Sequence, residues 1–215
     1  MKLAERFRPT ATPGLAVERN ARLTVDAALV LLILFAIQIA TVIIGVRNHL
    51  SLHVVIGLIL VPPLLIKISA VSWRFLQYYR HNEEYRRRGA PPPLLRLLGP
   101  VLVVVTLVLV GTGVAQFLAP NEFNGPRGAI YDAHVASFVI WVPLVLTHVV
   151  RHAKDVRRLA RRDLRRVTRE AVPGATVRQA IVLTGLAAGL ALALSLVGHV
   201  HTYLNVPLTP PALSR

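Results

Sequence analysis

Histidine is the residue type in this sequence that is best suited to ligand binding and redox chemistry. The chain has eight histidines and no cysteine, which excludes disulfides, thiolate metal ligands and iron–sulfur ligation. His134 and His148 lie fourteen positions apart within one apolar segment. On an α-helix this spacing is about 21 Å and nearly four whole turns, so both rings leave the same face, one near each side of a bilayer.

A second apolar segment repeats the fourteen-residue spacing with His53 and Lys67. Ionisable groups inside a bilayer are costly and are a functional hypothesis by default. Neutral imidazole is a good axial ligand of haem iron, and the haem macrocycle prefers the interior of a helix bundle. If both segments cross in the same direction, His53 lies at the depth of His134. We therefore predict that His53 and His134 bind one haem iron.

The same counting places Lys67 opposite His148, where a second pair of imidazoles would lie. A second haem at His148 is therefore left open. Lys67 could ligate iron, pair with a haem propionate, or extend its amine along its own stem to the membrane surface.

The elements that must position these residues are apolar helices. Hydrophobic residues make up 54% of the chain and the mean hydropathy is +0.56. Five apolar stretches are each near the roughly 20 residues that cross a bilayer; they lie near 24–46, 50–76, 95–119, 130–151 and 178–200. We predict an all-α polytopic membrane helix bundle of about five transmembrane helices over residues 24–203, followed by a tail, 204–215.

The net charge of +15 is concentrated in blocks. Residues 1–23, 80–96 and 151–178 carry 20 Lys and Arg, whereas the opposite ends of the apolar stretches have only Arg47, Arg127 and Arg215. The positive-inside rule then predicts a cytoplasmic N-terminus, with residues 1–23 as a basic cytoplasmic segment, and a C-terminus outside. The expected location is the plasma (inner) membrane of a bacterium, as a multi-pass protein.

The basic loop 152–177 has an amphipathic pattern. Its apolar residues recur at helical spacing among arginines; they are Val156, Leu159, Ala160, Leu164 and Val167. This pattern predicts an interfacial helix among anionic lipid headgroups, and docking of an acidic soluble partner is a second possibility. Because the basic residues lie where membrane topology requires them, we do not predict nucleic-acid binding.

Several residues together resemble a known family. They are Leu52-His53-Val54 with Gly57, the run Pro62-Pro63-Leu64-Leu65-Ile66-Lys67, a third apolar segment containing glycines, and the spacing His134-x13-His148-x3-His152. This pattern resembles the bacterial four-helix membrane b-type cytochromes, which include membrane domains or subunits that accompany molybdopterin-dependent oxidoreductases and formate dehydrogenases. The resemblance covers roughly residues 24–152.

The resemblance implies haem b held between helices by paired histidines, with electrons passing between a quinone pool and a partner redox protein. By position, His53 and His134 would be the outer ligands and His148 the inner one. Two features depart from the family pattern: Lys67 replaces the inner histidine, and the fifth apolar segment lies outside the resemblance.

Three other interpretations remain open. The chain could be a haem-free anchor or accessory subunit, with histidines that serve packing alone. It could be a small transporter, with Lys67 and the Pro62-Pro63 pair facing the substrate. Imidazoles at the outer face could also bind a divalent metal; these are His49, His53, His134, His199 and His201.

Overall fold

The structure is a computed structural model that describes residues 14–87, 93–118, 128–164, 172–196 and 198–199. The regular secondary structure of these residues is entirely helical, which confirms the all-α prediction. The helices are α1 (Leu15–Gly45), α2 (Leu50–Tyr79), α3 (Glu83–Arg87), α4 (Pro93–Leu118), α5 (Ala129–Leu164) and α6 (Ala175–Ser195), with a 3₁₀ turn at Val46–His49.

Among the described residues, four continuous helical stretches are long and apolar enough to cross a membrane. They are Leu15–Tyr79, Arg96–Leu118, Ala129–Arg158 and Ala175–Ser195. The chain therefore has the character of a multi-pass membrane protein. The first stretch contains both α1 and α2.

Helices α1 and α2 fold back on each other as an antiparallel hairpin. Near one end, Asn20 Nδ2 donates to the carbonyl of Ala70 at 3.0 Å; near the other, Gln38 Nε2 donates to the carbonyl of His53 at 3.0 Å. The turn begins at Gly45, whose φ of +114° is a conformation that residues with a Cβ rarely adopt.

The bundle is built from close contacts of α1 with α2, of α2 with α6, and of α4 with α5. One core cluster contains Leu31, Leu34, Leu60 and Leu64, and a second contains Leu58, Phe117 and Ala193. Helices α2 and α5, which carry the predicted haem ligands, make little or no direct contact within the described part of the chain.

Helix α6 approaches α2 closely at Gly185 and Gly189. A Cβ at Gly189 would overlap the carbonyl oxygen of Ile59 and lie 3.0 Å from its carbonyl carbon. The Ile59 carbonyl lacks its usual donor four residues on, because Pro63 has no N–H. The glycine backbone therefore covers an acceptor that the proline has left free.

Two helices extend further than the apolar stretches predicted. Helix α1 begins at Leu15, inside the basic segment 1–23, and its charged residues are accommodated by a buried ion pair of Arg22 with Glu18 at 3.2 Å. Polar residues at helical spacing can therefore lengthen a helix that hydropathy alone ends earlier.

Helix α5 continues without interruption from the apolar segment into the predicted loop 152–177, as far as Leu164. Val156 and Ala160 of this extension pack against Ala21 and Val25 of α1. The helix thus continues to Leu164, and Val156 and Ala160 hold its extension against α1. Val167 and the tail 204–215 lie outside the described residues.

Candidate functional site

The structure places His53 and His134 at the same end of the bundle. His53 is the fourth residue of α2 and His134 the sixth residue of α5. Both rings are partly buried and are close enough to interact electrostatically. Sequence reasoning had paired the same two residues by depth.

A threonine of α1 fixes the ring of His53. Thr41 Oγ1 lies 2.7 Å from His53 Nδ1 and also donates to the carbonyl of Gln38 at 2.7 Å. The contact engages Nδ1 of His53 with the Thr41 hydroxyl. A hydroxyl that gives its one proton to the Gln38 carbonyl accepts from Nδ1, and in that tautomer the lone pair of the ring lies on Nε2.

The ring of His134 is fixed in the same way by α4. Its Nδ1 lies 3.0 Å from the carbonyl oxygen of Leu109, which can only accept, so Nδ1 is the protonated nitrogen of this ring. Thr112 Oγ1 is a further neighbour at 3.2 Å and donates to the carbonyl of Val108 at 2.7 Å. His134 therefore keeps its lone pair on Nε2.

Glycine makes room for this second ring. A Cβ at Gly113 would lie 3.1 Å from His134 Cε1, tighter than ordinary contacts. Among the described residues, Nε2 of neither histidine has a hydrogen-bond partner.

The chemistry of these two side chains is compatible with the predicted haem ligation. Ligating histidines typically donate the other ring N–H to a carbonyl or a similar acceptor, which fixes the tautomer and the orientation of the ring. His134 does so to the Leu109 carbonyl, and the corresponding nitrogen of His53 lies against the Thr41 hydroxyl. Within the described residues, the helices α2 and α5 that carry them make little or no direct contact.

An apolar layer lies one step further into the bundle. Seven residues after His134, Trp141 is 2% exposed, donates from Nε1 to Thr106 Oγ1 at 2.9 Å, and packs on Phe35 with ring centroids 4.7 Å apart. Leu60, seven residues after His53, is also buried. This layer separates the outer histidines from Lys67 and His148.

Lys67 and His148 lie seven residues beyond Leu60 and Trp141 on their helices. The ring of His148 lies 4.6 Å from the ring of His152, and Lys67 interacts electrostatically with both histidines. Within the described residues Lys67 has no hydrogen bond or ion pair. The structure thus brings Lys67 and His148 together at one depth.

Of the other histidines predicted for an outer metal site, the structure describes His49 and His199, and neither forms a metal-binding group with His53 and His134. His199 packs edge-on against Phe117 with centroids 6.0 Å apart, and His201 lies outside the described residues. Among the residues that were described, no group of three or more His, Cys, Asp or Glu side chains is arranged to hold a metal ion.

Sequence reasoning missed the residues that orient the histidines. Gln38 and Thr41 lie on α1 and Thr112 lies on α4, two helices for which the sequence analysis named no site residue. One sequence signal was available: Thr41 and Thr112 are polar residues in apolar helices. Each lies at the depth of a histidine whose Nδ1 needs a hydrogen-bond partner.

No protein-family model, curated protein or solved structure matches the chain. The resemblance to b-type cytochromes therefore stays a prediction from the residues themselves.

Proposed function

We propose that this protein is a haem-b-binding membrane subunit that passes electrons between a quinone pool and a partner redox protein. The observation that carries the proposal is that both rings are held at Nδ1, His53 by the Thr41 hydroxyl and His134 by the Leu109 carbonyl, while Nε2 of neither ring has a hydrogen-bond partner among the described residues. In this proposal both rings keep the lone pair on Nε2 for iron. Histidines that serve packing alone have no need of this match.

Each neighbouring residue has a defined task in this proposal. Thr41 and the Leu109 carbonyl hold the two ring orientations, and Gly113 gives His134 its space. The buried Trp141 closes the inner side of the site and restricts the entry of water. When bound, the haem iron supplies one-electron redox chemistry.

The proposed topology has five transmembrane helices, because the hairpin of α1 and α2 provides two crossings. Basic residues at the ends opposite the Gly45 turn put those ends in the cytoplasm of a bacterial plasma membrane. His53 and His134 then lie toward the outer side. The C-terminus lies outside the cell.

The cytoplasmic extension of α5 is the proposed contact for a redox partner. Lys154, Arg157 and Arg161 are exposed on it, and the opposite face is held against α1 through Val156 and Ala160. A basic surface of this kind favours an acidic soluble protein.

The test is a dithionite-reduced minus oxidised spectrum of the detergent-purified protein, with haem quantified per chain. We expect a b-type α-band in the wild type and its loss in His53→Ala and in His134→Ala. The control is His81→Ala, because His81 is an exposed histidine outside the site.

Haem stoichiometry also addresses His148. One haem per chain that persists in His148→Ala would limit the site to the outer pair, and two would include His148. A well-folded protein without haem, produced with an adequate haem supply, would refute the electron-transfer proposal and favour an accessory membrane subunit.

A further inference from the structure

Two side-chain amides tie the hairpin of α1 and α2 together, one near each end. Asn20 Nδ2 donates to the Ala70 carbonyl at 3.0 Å, and Gln38 Nε2 donates to the His53 carbonyl at 3.0 Å. Within the described residues, the side-chain oxygens of both amides are buried and have no hydrogen-bond partner. Because an unpaired buried acceptor costs free energy, the bond that each amide nitrogen makes must account for the presence of the amide.

The two amides differ in what they hold. The acceptor for Gln38 is the backbone of His53, whose ring is one of the two proposed haem ligands. Thr41, three residues after Gln38 on α1, contacts the ring of the same histidine at 2.7 Å and donates to the Gln38 carbonyl at 2.7 Å. One turn of α1 therefore holds His53 both by its backbone and by its ring. Asn20 holds only the backbone of an alanine near the other end of the hairpin.

The Gln38 amide lies against the backbone of α2 from His53 to Gly57. A Cβ at Gly57 would lie 3.5 Å from Gln38 Nε2, in ordinary van der Waals contact. A functional side chain has to be held within roughly 0.5 Å of its productive position, which requires support for its backbone as well as for its rotamer. The Thr41 hydroxyl holds the His53 ring, and the Gln38 amide holds the turn of α2 that carries the ring.

We infer that Gln38 is a positioning residue of the haem site and acts through the backbone of His53. This inference rests on the proposed function. The Gln38 amide fixes the first turns of α2 against α1, and Thr41 fixes the direction of the His53 ring on that support. Without the amide this part of α2 shifts relative to α1, and the angle between the His53 and His134 rings changes. Asn20 makes the same kind of bond away from the site and has no such effect on the haem.

The test compares two matched variants of the full chain, purified in detergent. Gln38→Met and Asn20→Leu each remove one amide and nearly keep the size of the side chain, so each breaks one bond between α1 and α2. The melting temperature of each variant establishes that it is folded. If Gln38→Met does not fold, Gln38→Asn replaces it, because its amide is one methylene too short to keep the bond to His53.

Two properties of the bound haem are measured. The EPR spectrum of the low-spin ferric form depends on the angle between the planes of the two axial imidazoles. The rate of haem transfer to an excess of a haem-accepting apoprotein reports how firmly the haem is held. We expect Gln38→Met to change the EPR spectrum and to speed haem transfer about tenfold, the smaller end of the effect of losing a group that supports a ligand. Asn20→Leu should keep both wild-type values.

A measurement without haem separates this inference from the electron-transfer proposal. In haem-free protein with isotopically labelled histidine, the ring nitrogen resonances of His53, assigned with His53→Ala, should shift in Gln38→Met and stay in place in Asn20→Leu. That result would support the positioning role even if the wild type bound no haem and the electron-transfer proposal failed. Unshifted His53 resonances in Gln38→Met, or equal changes in the two variants, would overturn the inference.

Discussion

Replacement of Gly189 by alanine tests the contact between α6 and α2. The added Cβ would overlap the backbone carbonyl of Ile59, which cannot rotate away, so the two helices must separate. Overpacking of this kind costs about 1–3 kcal/mol. The same substitution at Gly111, where nothing lies within 4 Å, should gain up to about 1 kcal/mol of helix propensity.

A third glycine gives an intermediate case. A Cβ at Gly185 would overlap Ile66 Cδ1, the end of a flexible side chain that can move. We therefore expect stability to fall in the order Gly111→Ala, wild type, Gly185→Ala, Gly189→Ala. For a loss of about 2 kcal/mol in a chain of this size, the melting temperature of Gly189→Ala should fall by roughly 4–8 °C.

The assay is thermal unfolding in detergent, followed by tryptophan fluorescence. The chain has only two tryptophans, and the buried Trp141 should dominate the change on unfolding. If Gly189→Ala melted at the temperature of Gly111→Ala, the close approach of α6 to the Ile59 carbonyl would be refuted.

Two further predictions concern single hydrogen bonds. Thr41→Val should raise the reduction potential of the proposed haem, because His53 loses the hydrogen-bond partner that makes its ring a stronger donor to iron. In a redox titration, Thr41→Ser should keep the wild-type potential. An unshifted potential in Thr41→Val would contradict the role assigned to Thr41. Thr106→Val should lower the free energy of unfolding by about 1–3 kcal/mol, because it leaves the buried Trp141 N–H without an acceptor; an unchanged melting curve would contradict this.

Much of the fold could be predicted because membrane helices are strongly constrained by length and hydropathy. The second apolar stretch was predicted to begin at residue 50, where α2 begins, and the third to end at 119, one residue beyond Leu118. The start of α1 was predicted nine residues late. Hydropathy cannot register that a charged residue such as Arg22 is paired within its own helix.

The end of α5 was misplaced for a related reason. Composition changes sharply after Arg151, from apolar to basic, and this change indicated a break between the transmembrane helix and a separate amphipathic helix in the loop 152–177. The helical spacing was read correctly as far as Leu164, but the backbone continues α5 without a break. Its apolar side, Val156 and Ala160, packs against Ala21 and Val25 of α1, a distant segment that the local pattern does not identify.

For the candidate site, the sequence could supply the histidines but not their partners. Counting along two helices placed His53 with His134, and Lys67 with His148, because the helical repeat is regular. The hydrogen-bond partner of the His53 ring comes from α1 and that of the His134 ring from α4. Which helix lies beside which is a property of the packed bundle, and the spacing of residues within one segment does not contain it.

The tight turn between α1 and α2 bears on the order in which the protein is made. Only Val46–His49 separates the two helices, so α1 and α2 follow each other directly in synthesis and little polar chain lies between them. Thr41 can therefore orient His53 as soon as this hairpin has inserted. His134 gains its acceptor only after α4 and α5 have been synthesised. Biogenesis should then pass through an intermediate with one oriented histidine, and a haem that needs both would be captured only late in assembly.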